Sequence, residues 1–284
     1  QMLFECPCAN VLLVLLGLLV VAYALNRKAR YFIRITIFYF SILFNALICM
    51  LICLPSYFMG YGCTVVFVTM TYLSKWTGIN VEVRDYERVY SKQTTPCVAV
   101  CNHQSALDVM MMAHAYPPRG TVMMKRSLAY VPIFNITAFL SEVIFVDRFN
   151  REKAMKAVEQ CTAALTKRSL KLWVFPEGTR NRSLDGMLEF KKGAFNIAVQ
   201  AQIPIVPTVA SSYKCFYSNP GRYFDGDGEI IVQVMDPIPT AGLTMEDVPA
   251  LADRVRKEML VVYEKITAEV NEKMALKRGE KKSQ

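Results

Sequence analysis

A long uncharged stretch near the N-terminus limits the folds open to this chain. Residues 35–74 contain no Asp, Glu, Lys or Arg, and residues 11–25 are equally free of charge. A helix that crosses a bilayer needs about 20 predominantly apolar residues, so the longer stretch exceeds one span. The whole chain is 53% hydrophobic, and these segments account for the excess over ordinary soluble proteins. The sequence therefore predicts a membrane-anchoring helical region over residues 1–75 and a globular domain over residues 76–284.

Positive charge follows the first apolar segment at Arg27, Lys28, Arg30 and Arg34. No small-residue cleavage site separates the apolar run from these charges, which favours an anchor over a signal peptide. The positive-inside rule places the basic segment in the cytosol. Pro55 is expected to divide the longer stretch, which then forms either two spans or a hairpin that enters one leaflet. Both arrangements place the following domain on the cytosolic side, whereas exactly one further crossing would not, so the topology stays open.

The net charge of +9 indicates an anionic partner, either nucleic acid or a membrane with its anionic lipids. The chain carries no nucleic-acid-binding motif, and its apolar N-terminus favours the membrane. Nine cysteines without a framework spacing indicate a reduced protein that faces the cytosol. With two histidines and no CxxC pair, the sequence predicts no metal site.

From residue 80 onward, short apolar runs alternate with helical patterns, which predicts an α/β domain with a mostly parallel central sheet flanked by helices. Several of the runs are unbroken, as expected of strands covered on both faces. The expected strands are residues 81–83, 97–100, 121–124, 143–146, 172–175, 205–209 and 229–234. The expected helices are residues 105–115, 127–140, 151–167, 192–201 and 245–274.

The string NHQSALD at residues 102–108 follows the second of these strands, where parallel sheets usually place an active site. Asp108 can reach back to one ring nitrogen of His103, so that the other nitrogen is free to accept a proton. Because no GxSxG-type nucleophile motif is present, His103 is predicted to activate a substrate hydroxyl directly. The alternative is that Asp108 only caps a helix. His114, the other histidine, lies in an apolar helix and is interpreted as structural.

The string FPEGTR at residues 175–180 also follows a strand and offers an acid, a turn-forming glycine, a hydroxyl and an arginine. Gly178 permits a tight turn, and Arg180 can hold phosphate oxygens with two parallel hydrogen bonds. Arg148 and Lys125 each end another strand and can add positive charge at the same edge. A local ion pair of Arg148 with Asp147 is the alternative there.

Four motifs of this chain resemble those of the glycerolipid acyltransferases in order and spacing: NHQSALD, FVDR at residues 145–148, FPEGTR, and IPIVP at residues 203–207. The resemblance is to the 1-acyl-sn-glycerol-3-phosphate acyltransferases of the animal membrane-bound type, and it covers roughly residues 80–265. Family members often carry glycine at two positions where this chain has Asn135 and Glu142.

The resemblance implies acyl transfer from acyl-CoA to the sn-2 hydroxyl of lysophosphatidic acid, giving phosphatidic acid and CoA, with no cofactor beyond the acyl-CoA co-substrate. His103 would be the general base and Asp108 its orienting group. The acceptor phosphate would be held by Glu177, Gly178, Thr179, Arg180 and Arg148, with Lys125 as a further basic group, and the acyl or CoA side would be lined by Val206 and Pro207.

Three other functions stay open at this point: acylation of glycerol 3-phosphate or another lysophospholipid, hydrolysis of acyl-CoA, and a non-catalytic membrane scaffold. For location, KKSQ at residues 281–284 resembles a dilysine signal for retrieval to the endoplasmic reticulum. A glycan on the sequon at Asn181 would obstruct the expected phosphate site, which again favours a catalytic domain in the cytosol.

Overall fold

The computed structural model describes residues 7–58, 62–93, 95–146 and 151–283. Within these residues, seven strands form one sheet in the order β1-β9-β6-β2-β5-β3-β4. A small hairpin of two further strands lies outside it. The strands of the large sheet are β1 (Asn80–Arg84), β2 (Cys97–Cys101), β3 (Gly120–Lys125), β4 (Ile144–Val146), β5 (Lys171–Val174), β6 (Ile205–Ala210) and β9 (Glu229–Val234), and the hairpin is β7 (Tyr217–Ser218) with β8 (Tyr223–Phe224).

The sheet is mostly parallel, as the sequence predicts. The strands β4, β3, β5, β2 and β6 run in one direction, whereas β9 is antiparallel to β6 and β1 pairs parallel to β9. All seven predicted strands are therefore present, each within a few residues of its expected ends. The carboxyl ends of β2, β3 and β5 meet at one edge of the sheet, where ligands of such folds bind.

Both faces of the sheet are covered by helices. The helices of the α/β domain are α4 (Tyr86–Tyr90), α5 (Asp108–Ala115), α6 (Phe134–Leu140), α7 (Arg151–Arg168), α8 (Gly193–Ala201) and α9 (Val248–Ser283). Alternate residues of a strand point to opposite faces, so Val98 and Val100 of β2 pack with α8 and α9. Ala99 and Cys101 pack with α5 on the other face.

Three N-terminal helices precede the sheet: α1 (Pro7–Leu25), α2 (Arg27–Phe58) and α3 (Gly62–Leu73). The apolar stretch is divided into two helices, as expected, but α2 continues through Pro55 and ends at Phe58. The basic residues from Arg27 to Arg34 form the first turns of α2 rather than a loop. By length and composition alone, Arg27–Pro55 could cross a membrane, and Asn10–Leu25 is apolar but shorter.

One face of α2 packs directly onto the α/β domain, so residue 75 is not a boundary in the packing. Tyr31, Ile35 and Phe38 are buried in the same apolar cluster as Leu107 and Trp173. The opposite face is open, with Phe40 68% exposed, and Leu25 at the end of α1 is 83% exposed. Large exposed apolar surfaces mark contact sites for a membrane or another protein.

The predicted helix over residues 127–140 is interrupted. Residues Arg126–Tyr130 form a short 3₁₀-helix, and α6 begins only at Phe134. Pro132 has no N–H to donate and disfavours the helical conformation in the residue before it. Ile133 then adopts a φ of 67°, which closes the break. Leu128, Tyr130 and Phe139 remain exposed on this segment.

Candidate active site

His103 and Asp108 form a close pair at the carboxyl end of β2. The Nδ1 atom of His103 lies 2.6 Å from Oδ2 of Asp108. The ring is stacked on Phe175, with the ring centroids 4.1 Å apart and the planes inclined by 15°. The carboxylate orients Nδ1 as the donor, so that Nε2 of the neutral ring is an acceptor. The side chain of His103 is 20% exposed, so a bound molecule can reach the ring.

The carboxylate of Asp108 is itself held by the main chain. It accepts hydrogen bonds from the N–H groups of Gln104 at 2.8 Å and Ser105 at 3.2 Å. Asp108 is only 2% exposed and is the first residue of α5. Since several donors fix its position, the carboxylate can orient the imidazole and stabilise the imidazolium that forms when Nε2 accepts a proton.

Two amides of the NHQSALD loop attach it to the end of β6. Asn102 donates to the carbonyl of Ala210 at 2.9 Å and accepts from the N–H of Ala210 at 2.8 Å. Gln104 donates to the carbonyl of Ser211 at 2.8 Å. No role is predicted for these two residues from the sequence. Their positions on either side of His103 could have indicated a structural role, since buried amides usually bridge main-chain groups.

Glu177 braces the site from the second loop. Its Oε1 accepts from the N–H of His103 at 2.7 Å, and its Oε2 accepts from the N–H of Leu188 at 2.9 Å. Burial raises the pKa of this carboxyl, and the two main-chain donors offset part of the rise. Both oxygens are thus used within the protein. The expectation that Glu177 faces a phosphate does not fit this geometry, because its carboxylate is turned towards the two main-chain donors.

Gly178 makes the turn that brings the rest of this loop to the sheet edge. It has a φ of +71°, a conformation that side chains rarely adopt, and an added Cβ would lie 3.3 Å from Cγ of Lys191. Thr179 and Arg180 follow it and are exposed. The main-chain N–H of Asn181 donates to the carbonyl of His103 at 2.7 Å, so the two loops are joined directly.

An apolar cavity of about 440 Å³ lies beside the His103 ring. We call it the apolar cavity. Its wall comes from α2, from α5, from β3 with the segment that follows it, and from the FPEGTR loop. It is lined by Tyr39, Ile42, Leu43, His103, Ala106, Val109, Met112, Val122, Met123, Met124, Lys125, Leu128, Val131, Phe134, Trp173, Phe175, Gly178 and Arg180.

A second cavity of about 260 Å³ adjoins the first and shares Tyr39, Ala106 and Arg180 with it. We call it the arginine cavity, because three of its lining residues are arginines. It is lined by Tyr31, Phe32, Ile35, Tyr39, Gln104, Ser105, Ala106, Arg180, Arg182, Tyr217, Asn219 and Arg222. Together the two cavities form an apolar space and a cationic space that meet near the His103 loop.

The remaining predicted site residues are not all brought to this place. Lys125 at the end of β3 lines the apolar cavity, whereas Arg148 lies outside the described residues. Val206 is fully buried in β6, where it packs with Val89 and Cys97. Neither Val206 nor Pro207 is among the residues that line the two cavities. The expectation that they line the acyl side does not fit this geometry, because β6 places them in the interior of the sheet.

Among the residues that the structure describes, no three His, Cys, Asp or Glu side chains are grouped as metal ligands would be.

The sheet and its two loops define an α/β acyltransferase domain, and comparison with known proteins agrees. A family model described as Acyltransferase matches residues 80–211, which run from β1 to just past β6. A crystal structure of the 1-acyl-sn-glycerophosphate acyltransferase of Thermotoga maritima superposes with a TM-score of 0.66 over 85% of this chain and 98% of that chain, at 21% identity. This likeness concerns the fold alone.

Two relatives extend the similarity through the N-terminal region. A putative 1-acyl-sn-glycerol-3-phosphate acyltransferase of Caenorhabditis elegans is 48% identical, over 94% of each chain. The human 1-acyl-sn-glycerol-3-phosphate acyltransferase alpha is 39% identical, over 85% of this chain and 84% of its own length. The chain belongs to the 1-acyl-sn-glycerol-3-phosphate acyltransferase family.

Proposed function

We propose that this protein transfers an acyl group from acyl-CoA to the sn-2 hydroxyl of lysophosphatidic acid, giving phosphatidic acid and CoA. The observation that carries the proposal is the His103–Asp108 pair at the wall of the apolar cavity, with Arg180 shared between that cavity and the cationic space beside it. The relatives described above are named as acyltransferases of this substrate. A fatty acyl chain requires an apolar space, a reacting hydroxyl requires a base, and a phosphate requires a cationic space.

In the proposed reaction, Nε2 of His103 removes the proton from the sn-2 hydroxyl as its oxygen attacks the thioester carbonyl carbon. Asp108 stabilises the imidazolium through its 2.6 Å contact with Nδ1. When the tetrahedral intermediate collapses, the carbon–sulfur bond breaks and the thiolate of CoA takes up the proton from the imidazolium. No acyl-enzyme is formed, because the hydroxyl attacks the thioester directly.

The apolar cavity is proposed to hold the fatty acyl chain, since its volume falls within the usual range of ligand pockets and its lining is almost entirely apolar. Arg180 and Thr179 are proposed to contact the acceptor phosphate, with Lys125 and Arg148 adding positive charge. Glu177 is proposed to act indirectly, by holding the main chain of His103 in place.

The proposed setting is the cytosolic side of the endoplasmic reticulum membrane. The exposed faces of α1 and α2 and the exposed apolar residues of the segment after β3 would enter the bilayer. Leu43 of α2 and Leu128 of that segment also line the apolar cavity, so acyl chains would reach it from the lipid. The basic start of α2 contacts the α/β domain through an Arg27–Asp225 ion pair, which puts both on the same side.

The direct test is the release of CoA from oleoyl-CoA by the purified, detergent-solubilised protein, with and without lysophosphatidic acid. We expect release that depends on the acceptor and is abolished in His103→Ala. His114→Ala is the matched control, because His114 is the other histidine and its Nδ1 contacts the Met110 carbonyl of its own helix at 2.9 Å. Its activity should stay within twofold of the wild type.

Each other outcome points to a different function. Acceptor-independent release that requires His103 would indicate an acyl-CoA hydrolase. Release with glycerol 3-phosphate or another lysophospholipid, but not with lysophosphatidic acid, would identify that compound as the acceptor instead. Unchanged activity in His103→Ala, at an unchanged melting temperature, would refute the role of the histidine as the base.

A further inference from the structure

The arginine cavity carries an excess of positive charge that the protein does not neutralise. Arg180, Arg182 and Arg222 line it, and none of its lining residues is acidic. Three guanidinium groups around one small space create a positive local potential that attracts an anion. The composition of the cavity is therefore that of an anion-binding site.

The hydrogen bonding of these arginines supports the same conclusion. Within the described part of the chain, the guanidinium groups of Arg180, Arg182 and Arg222 make no ion pair or hydrogen bond with the protein, and only the main-chain N–H of Arg222 donates, to the carbonyl of Asn219. Several arginines elsewhere are engaged: Arg84 pairs with Glu82 and Glu269, Arg88 with Asp85 and Asp236, and Arg254 with Glu258. The N–H donors of the three cavity arginines thus remain free for a ligand, and a guanidinium presents them in a planar fork that matches phosphate.

Arg222 is positioned by contacts with the membrane-side helix α2. It lies in the turn between β7 and β8, and its guanidinium carbon is 5.8 Å from the ring centroid of Tyr31 and 5.3 Å from that of Phe32. The hydroxyl of Tyr31 donates to Oδ1 of Asn219 in the same turn at 2.7 Å. Stacking on rings orients a guanidinium through its face and leaves its N–H edge available. The turn and α2 therefore hold Arg222 without using its donors.

We infer that Arg182 and Arg222, together with Arg180, form the subsite for a phosphomonoester group, and that Tyr31 is a positioning residue for Arg222. The inference rests on the proposed function, in which the phosphomonoester is that of the acceptor. A phosphomonoester carries nearly two negative charges at neutral pH, whereas the phosphodiester of a lysophospholipid such as lysophosphatidylcholine carries one and adds a bulky group. Three unpaired arginines in a small cavity favour the former.

The connection between the two cavities fits this assignment. The phosphate of lysophosphatidic acid is only a few bonds from its sn-2 hydroxyl, so its subsite must adjoin the place where His103 acts. The two cavities share Ala106 and Arg180, which lie on the two loops that carry the proposed base and the proposed phosphate contact. CoA also has a phosphomonoester, at its 3′ position, and the experiment has to separate these two sources.

Steady-state kinetics of the full-length protein in mixed micelles provide the first test. Because each variant removes charge-assisted hydrogen bonds to the phosphate, Arg222→Gln and Arg182→Gln should each raise the KM for lysophosphatidic acid about tenfold or more. The kcat and the KM for oleoyl-CoA should stay within about twofold. Tyr31→Phe, which removes only the hydrogen bond to Asn219, should raise the same KM by a smaller factor. Arg254→Gln removes an equal charge from the surface of α9 and is the matched control.

Two further measurements identify the source of the phosphate. The KM of Arg222→Gln is compared for oleoyl-CoA and for oleoyl-dephospho-CoA, which lacks the 3′-phosphate. If Arg222→Gln raises the KM for oleoyl-CoA but not the KM for oleoyl-dephospho-CoA, the subsite binds the 3′-phosphate of CoA. That result would overturn the assignment to the acceptor. An unchanged KM for lysophosphatidic acid in both glutamine variants, at wild-type kcat, would overturn it as well.

Calorimetric titration with glycerol 3-phosphate separates this inference from the proposed function. Binding of this probe to the wild type, weakened about tenfold in Arg222→Gln but not in Arg254→Gln, would support the subsite even if no acyl transfer were observed. Equal binding by the two variants would contradict it. If Arg222→Gln has a lowered melting temperature, Arg222→Lys replaces it, since lysine keeps the charge but not the fork. It should give an intermediate KM.

Discussion

The two loops at the carboxyl edge of the sheet each contribute a buried carboxylate, but the carboxylates serve different purposes. Asp108, which is 2% exposed, contacts the ring of His103. Glu177, which is 1% exposed, contacts the main-chain N–H of the same residue. Burial and proximity to the histidine do not distinguish the two acids. Their hydrogen-bond partners do: one orients a side chain that can transfer protons, and the other fixes the backbone that carries it.

The two carboxylates also differ in how far along the sequence their hydrogen-bond partners lie. Asp108 makes its contacts with His103, Gln104 and Ser105, all within five residues. Glu177 instead joins residues that are 74 and 11 positions away. The contacts of Asp108 are therefore local, although its loop is also attached to β6 through Asn102 and Gln104, whereas the contacts of Glu177 form only in the assembled fold. Substitution of Asp108 should therefore lower the rate of acyl transfer directly, whereas substitution of Glu177 should act by destabilising the backbone at His103.

The largest effect is expected for Asp108→Asn. The amide cannot stabilise the imidazolium and favours the wrong tautomer of His103, so kcat should fall about 10³- to 10⁴-fold with little change in KM. The measurement is steady-state acyl transfer to lysophosphatidic acid. Asp185→Asn is the control, because Asp185 is exposed and pairs only with Lys214 at the surface. A kcat within tenfold of the wild type would show that Asp108 is only a helix-start residue.

Arg180→Gln should produce the next largest loss, and it should affect binding. If Arg180 grips the acceptor phosphate in both ground and transition states, kcat/KM for lysophosphatidic acid falls about 10- to 100-fold, mainly through KM. Arg254→Gln again controls for the loss of charge. A lowered kcat with an unchanged KM would mean that Arg180 acts in the transition state alone. Both loops would then contribute to the chemical step.

Glu177→Gln tests whether the second acid is a brace. Its amide group would face a buried main-chain N–H, which costs roughly 1–3 kcal/mol in the free energy of unfolding. The displaced His103 backbone should lower kcat about tenfold. Thermal melting and kinetics are measured together, beside Glu258→Gln, whose carboxylate is in an exposed pair on α9. A raised KM for the acceptor without loss of stability would instead return Glu177 to the phosphate site.

The smallest effect is expected for Gly178→Ala. Its φ of +71° is unfavourable for alanine by roughly 1–2 kcal/mol. The turn should relax slightly, lowering kcat/KM about threefold together with a small decrease in the melting temperature. Gly193→Ala is the control, since an added Cβ there meets nothing within 4 Å. Equal behaviour of the two variants would show that the turn tolerates a side chain.

The N-terminal region shows where prediction from sequence was incomplete. The uncharged runs identified apolar helices correctly, and the longer run is divided, but α2 includes Pro55 and ends three residues later, at Phe58. The packing of Tyr31 and Phe38 under the α/β domain could not be predicted either. An apolar helix can bury one face against protein and leave the other for lipid, and composition alone does not assign the faces.

Backbone conformation was a second feature that could not be predicted from the sequence. The sequence resemblance leads us to expect glycine at position 142, and Glu142 there adopts a φ of 56° and pairs with Arg168. The left-handed conformation that favours glycine is therefore kept in spite of the side chain. Ile133 has a similar φ after Pro132, which is why one predicted helix is two. Such residues depend on surrounding contacts that a linear pattern does not contain.

The amino-acid sequence by itself determined the strands of the sheet, the helices between them and the His103–Asp108 pair, because each depends on apolar periodicity or on contacts within a few residues. Only the tertiary structure decided which groups surround Glu177, Val206 and Arg222. Glu177 turns to the main chain of a distant loop, Val206 enters the sheet interior, and Arg222 reaches the arginine cavity from a hairpin held by α2. The physical reason is that a side chain's function depends on which groups face it. For residues far apart in the chain, the assembled fold determines those groups.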